Sequence, residues 1–129
     1  MPDKMEPYSE WFNKAGEDEL SITAILHEGG APSTACFLSQ QMAEKYLKAL
    51  LVFRNKTFPK VHDLLNLATR LMETDADIVR MQENLVLLNR YYIQTRYPGD
   101  YPAFSLEEAK QAFEAALRVK EFVWKRIEG

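Results

Sequence analysis

Ser33-Thr34-Ala35-Cys36-Phe37-Leu38-Ser39-Gln40-Gln41-Met42-Ala43-Glu44-Lys45-Tyr46-Leu47-Lys48-Ala49-Leu50-Leu51-Val52-Phe53-Arg54 is the stretch whose reading decides the fold. It is rich in Ala, Leu, Met, Glu, Lys and Gln, side chains that lose little freedom in a helix. Cys36, Met42, Ala43, Tyr46, Leu47, Leu50 and Phe53 cover a broad apolar face. At about 100° per residue, Gln41, Glu44, Lys45 and Lys48 fall inside a polar stripe of roughly 100°. The segment is expected to be a largely buried helix with one narrow polar seam.

The same periodicity extends in both directions. Trp11, Ala15, Ile22, Ile25 and Leu26 predict a first helix over 9–28, with Ser9 as its cap. Gly29-Gly30-Ala31-Pro32 ends it, because paired glycines and a proline resist helix continuation. After the loop 55–61, His62-Asp63-Leu64-Leu65 opens a shorter helix to about Met72. A fourth helix is predicted over 76–96, carrying Ile78, Met81, Leu85, Leu88, Tyr92 and Ile93, and ending before Pro98-Gly99. Residues 97–104 form an aromatic loop. Ser105-Leu106-Glu107-Glu108 is a capping box, in which serine and the glutamate three residues later satisfy each other's backbone donors. It opens a fifth helix, to about Ile127. No segment has the alternation of a strand. Short loops favour antiparallel neighbours. The expected fold is all-α: an up-and-down antiparallel four-helix bundle with an additional short helix, in one domain over 1–129.

Composition narrows the function classes. The 129 residues are 47% apolar and 27% charged, as in a globular chain that buries its own core. A net charge of −3 argues against coating nucleic acid through bulk charge, but not against a local basic site. The single cysteine, Cys36, gives no internal disulfide. It sits among Ala35, Phe37 and Leu38, and is expected to be a small buried hydrophobe. No leader-like segment is visible near Met1, and no apolar run approaches the roughly 20 residues that span a bilayer. The expected location is the cytoplasm, with no membrane contact.

Three features could carry chemistry. In the polar seam, Glu44 and Lys48 stand four apart in the favourable order for a helix ion pair. The seam reads either as a solvated face or as a groove where Gln41, Lys45 and Lys48 bind an anion. The second feature is Asn89, Tyr92 and Arg96, spaced by three and four on one face, followed by Tyr97 and Tyr101. Arginine holds phosphate bidentately and tyrosine stacks a base, so this end suits a nucleotide. Alternatively, Arg96 bonds loop carbonyls and the tyrosines pack. The third is His62, beside Asp63 at a helix start. It is expected to pack against the second helix or satisfy loop groups, with a general acid or base as the alternative. Two histidines and one cysteine make no metal signature, and no cofactor is implied.

These same residues carry a family resemblance. The run from Ala35 through Gln40-Gln41-Met42-Ala43-Glu44-Lys45-Tyr46-Leu47-Lys48-Ala49-Leu50-Leu51 resembles the central helix of the HEPN domain. His62-Asp63-Leu64 resembles that family's helix start, and Arg96-Tyr97-Pro98 its arginine element. Trp11, Ala15, Asp18 and Leu20 fit its first helix. The helix run alone is common, whereas four elements in register over residues 11–98 are specific.

The resemblance implies a helical bundle that dimerises with itself and binds a nucleotide or RNA. It implies a minimal nucleotidyltransferase as partner, and a place in a toxin–antitoxin pair. Ribonuclease members of the family carry an arginine followed, after four to six residues, by a histidine. The arginine polarises the phosphate and the histidine transfers protons. This sequence departs from that pattern. No histidine follows Arg96, and the position four intervening residues on is Tyr101, whose side-chain type is a poor base at neutral pH. Arg54 and His62 have seven residues between them, which does not fit either. The expectation is therefore a nucleotide-binding module. The alternatives are a divergent metal-independent ribonuclease toxin using Arg96 with Tyr101 or His62, and a structural interaction module.

Overall fold

Proline starts both of the first two helices. In the computed structural model, which describes residues 6–92 and 103–129, helix α1 runs Pro7–Glu28 and α2 runs Pro32–Phe53. Proline suits a first helical position because its missing N–H would find no partner there, and its φ is already helical. Glu6 therefore precedes the helix, and the expected Ser9 cap lies inside it. At the other end Gly29 takes a left-handed φ of 80°, and the Gly30 N–H donates to the Ile25 carbonyl at 2.8 Å. That geometry stops the helix and turns the chain into α2.

The third helix, α3 (Leu64–Leu71), begins two residues later than expected. Asp63 is its cap, with a side-chain oxygen accepting from the Leu65 N–H at 2.9 Å. His62 therefore stands outside the helix. Over the predicted fourth helix the chain first winds as a tight 3-10 helix, Ala76–Met81, capped by Asp75. It then widens into α4 (Gln82–Asn89). The expected continuation to 96 lies outside the described residues. Helix α5 (Leu106–Glu128) opens on the capping box, with both reciprocal bonds between Ser105 and Glu108 made.

Among the described residues there are five α-helices and no strand. They form an up-and-down bundle arranged around α2, which packs along α1 and α5, while α1 and α5 barely touch. Thirteen of the α2 residues are buried, far beyond the usual amphipathic stripe. Met42, Tyr46, Leu47, Leu50 and Leu51 from α2 meet Ile22, Leu67, Leu71, Leu85 and Leu88. Small residues of α5, Ala109, Ala112, Ala115 and Ala116, let its backbone come close. Cys36 is fully buried, and burial together with the nearby Glu108 pushes its thiol up to about 11. No helix among the described residues is long and apolar enough to cross a membrane.

Candidate functional site

The polar seam of α2 points into the bundle. Glu44 and Lys48 are only 5% and 6% exposed, which overturns the solvated-face reading. Their charges meet at 2.8 Å, Lys48 Nζ donating to Glu44 Oε2. Lys48 Nζ also lies 5.3 Å from the centre of the Trp11 ring and 5.5 Å from that of Phe58. Two aromatic faces thus cover a buried ammonium whose only carboxylate partner among the described residues is Glu44. The position of Lys48 under two rings could not be read from helical periodicity, because Phe58 belongs to the following loop.

His62 completes this cluster. Its Nδ1 lies 3.1 Å from both Glu44 oxygens. Gln40, fully buried one turn before Glu44, donates to the His62 backbone carbonyl at 3.0 Å. Helix α2 therefore grips the residue twice, by its carbonyl and by its ring. One face of the ring stacks on Tyr92, with centroids 4.5 Å apart and planes inclined by 16°. This agrees with the expectation that His62 packs against the second helix. Gln40 belongs to the family-like run but lies outside the polar stripe, so periodicity does not show its hold on His62. The adjacent Gln41 donates to its carboxamide oxygen at 2.7 Å.

Asn89 holds the same corner from α4. Its carboxamide oxygen accepts from the Leu64 N–H at 2.9 Å, and its NH2 donates to Asp63 Oδ1 at 2.8 Å. It thereby satisfies an otherwise orphaned donor at the start of α3. The next two residues that matter are neighbours facing opposite ways. Tyr91 is buried and donates to Glu108 at 3.2 Å, and burial pushes its phenol up to about 12. Tyr92 faces outward onto His62.

Lys60, Val61, His62, Asp63, Asn89 and Tyr92 line an open groove of about 520 Å³. It is thus walled by the α2–α3 loop and the end of α4. Of the residues expected to form a site, the structure brings His62, Asn89 and Tyr92 together here. Lys48 stands behind them, connected through Glu44. Lys45 is elsewhere, donating to Asp18 of α1 at 2.6 Å. Arg96, Tyr97 and Tyr101 lie outside the described residues. No group of three His, Cys, Asp or Glu side chains among the described residues could hold a metal ion.

Similarity to known proteins follows the same elements. The model of the HEPN domain family matches residues 8–127. The chain belongs to the HEPN family. A solved structure described as TT1696 from Thermus thermophilus shares 30% identity, with a TM-score of 0.82, covering 95% of this chain and 99% of that one. Another, described as ST0689, an archaeal HEPN homologue, shares 26% identity with a TM-score of 0.76, covering 96% and 100%. A comparison with curated proteins finds no match. The HEPN fold thus spans the bundle, and the groove lies on its α2–α3 loop and α4.

Proposed function

We propose that this chain is a single-domain HEPN module that binds a nucleotide, free or in RNA, in the groove at His62 and Tyr92. The observation that carries this reading is the stacked His62–Tyr92 pair, with Lys60 beside it, lining an open groove. Aromatic rings stack bases whatever their identity, and a lysine attracts phosphate. Arg96 follows Tyr92 by four residues in sequence, and it is assigned to the phosphate together with Tyr97 and Tyr101. Lys45 and Lys48 already have carboxylate partners. Lys48, through Glu44, and Gln41, through Gln40, are assigned to support the groove from behind, while Lys45 ties α2 to α1.

The partner assignment extends the family resemblance: a minimal nucleotidyltransferase, in a toxin–antitoxin-like pair within the cytoplasm. A homodimer is supported by a groove of about 500 Å³ in which Leu117 and the half-exposed Trp124 are flanked by Lys120 and Glu121. Calorimetry against ATP, other nucleotides and short RNAs tests the binding reading. Tyr92→Ala should weaken binding roughly five- to 150-fold, matching the about 1–3 kcal/mol of a base–aromatic stack. A folded protein that binds none of these ligands would refute it. Cleavage of total RNA by the pure protein, abolished by Arg96→Ala, would instead favour the ribonuclease.

A further inference from the structure

The chain places two opposite charges inside its core, and the arrangement ends on one imidazole at the surface. Burying an ion pair carries a desolvation cost that apolar side chains of similar size would avoid. Lys48 and Glu44 nevertheless stand together under Trp11 and Phe58, 2.8 Å apart. Glu44 turns toward Nδ1 of His62, while Gln40 fixes the backbone of the same residue. The ring is 42% exposed, and Nε2 makes no bond to any described residue. An ionised carboxylate can only accept hydrogen bonds, so the nitrogen facing it carries the proton. That leaves the Nε2 lone pair free on a half-exposed ring of a residue that lines the groove. The charged and titratable groups around the ring are Glu44 and Lys48 from α2, Lys60 and Asp63 from the loop, and Tyr92 after α4.

We infer that Glu44, held by Lys48, is the positioning residue that fixes His62 with its proton on Nδ1, so that Nε2 takes up a second proton when a nucleotide phosphate enters the groove. This deepens the nucleotide-binding reading and rests on it. A phosphate oxygen cannot donate to a lone pair once ionised, so the contact forms only when Nε2 also carries a proton. The resulting imidazolium is shared between two anions, Glu44 behind and the phosphate in front. Nucleotide binding is then coupled to proton uptake at one atom. A nucleoside without phosphate has no such requirement.

Two measurements separate the inference from the reading beneath it. In the protein without ligand, two-bond nitrogen–proton NMR correlations should show the neutral His62 ring protonated on Nδ1. Glu44→Leu with Lys48→Met removes both buried charges together, so the fold survives, and should abolish that preference. A wild-type ring protonated on Nε2, or a tautomer unmoved in the double variant, overturns the inference with no ligand involved. Calorimetry with AMP in buffers of different ionisation heat, near neutral pH, should then show uptake of up to one proton per AMP. Adenosine should show none, and His62→Gln should bind AMP without uptake. AMP binding without uptake overturns the inference and leaves the groove standing. No AMP binding to the folded protein overturns both.

Discussion

Two carboxylates in this bundle gather basic side chains from separate stretches of chain: Glu44 holds Lys48 and His62, and Asp75 holds Arg126 and Arg54. Asp75 accepts from Arg126 Nε at 2.5 Å and lies 3.6 Å from Arg54 Nη2. It also caps the 3-10 helix through the Asp77 N–H at 3.0 Å. Each arginine is tied down a second time. Arg54 donates to Thr74 at 2.9 Å, and Arg126 reaches Asp77 at 3.1 Å and lies over Phe122. That cluster fastens the end of α2, the 3-10 helix and the last turns of α5. Glu44 is buried more deeply, yet its cluster ends on a ring nitrogen with no partner among the described residues. The same ion-pair chemistry is a clamp where every group is bound twice. It becomes a candidate site where one group faces a groove.

The comparison breaks most readily at Glu44. Glu44→Ala leaves Lys48 buried without a carboxylate, and should cost about 3–5 kcal/mol, read by urea unfolding. Replacing both charges, as Glu44→Leu with Lys48→Met, should instead fall within about 1 kcal/mol of wild type. Equal losses from the single and double changes would show that packing, not charge, holds this corner. At the clamp, Arg126→Ala should cost less, about 1–2 kcal/mol, because its guanidinium is a quarter exposed and Arg54 remains beside Asp75. Lys45→Ala should cost under about 1 kcal/mol, since its ammonium makes a single bond, to Asp18, where Arg126 makes two and covers Phe122.

Acid should test the Asp75 clamp directly. Burial alone would raise the Asp75 carboxyl. The Arg126 hydrogen bond and charge, the Asp77 N–H and the Arg54 charge outweigh it and hold the group below its ordinary value of 3.8. The clamp's contribution is therefore complete above pH 3.8 and is lost as pH falls through the lower folded value. Thermal unfolding scanned through that acidic window should show a loss of stability that Asp75→Asn flattens. An identical acid profile for Asp75→Asn would contradict the clamp.

Much of the bundle was legible because its signals are local. The Gly29-Gly30 stop, the Ser105–Glu108 capping box and the apolar face of α2 each sit within a few residues of one another. The misjudged helix starts were also local, but turned on a rival signal. Pro7 took the first helical position ahead of Ser9, and the Asp63 side chain capped α3 beyond His62. The tight winding of 76–81 was hidden because apolar spacing looks alike in both helix types. The candidate site was legible only as residues, not as an arrangement. Asn89 reaches across 25 residues to cap Leu64, and the partners of Glu44 are 4 and 18 positions away. Angular position on a helix wheel places Glu44 and Lys48 on one stripe. It does not say that Trp11 and Phe58 will cover that stripe.

The central claim, that the groove between the α2–α3 loop and the end of α4 is where this HEPN domain takes its ligand, is most directly tested by a chemical-shift map. Titrating AMP into isotope-labelled protein should move Lys60, Val61, His62 and Tyr92 most, with Glu44 following through the His62 ring. Shifts centred instead on Leu117 and Trp124, or no shifts at saturating AMP, would contradict it.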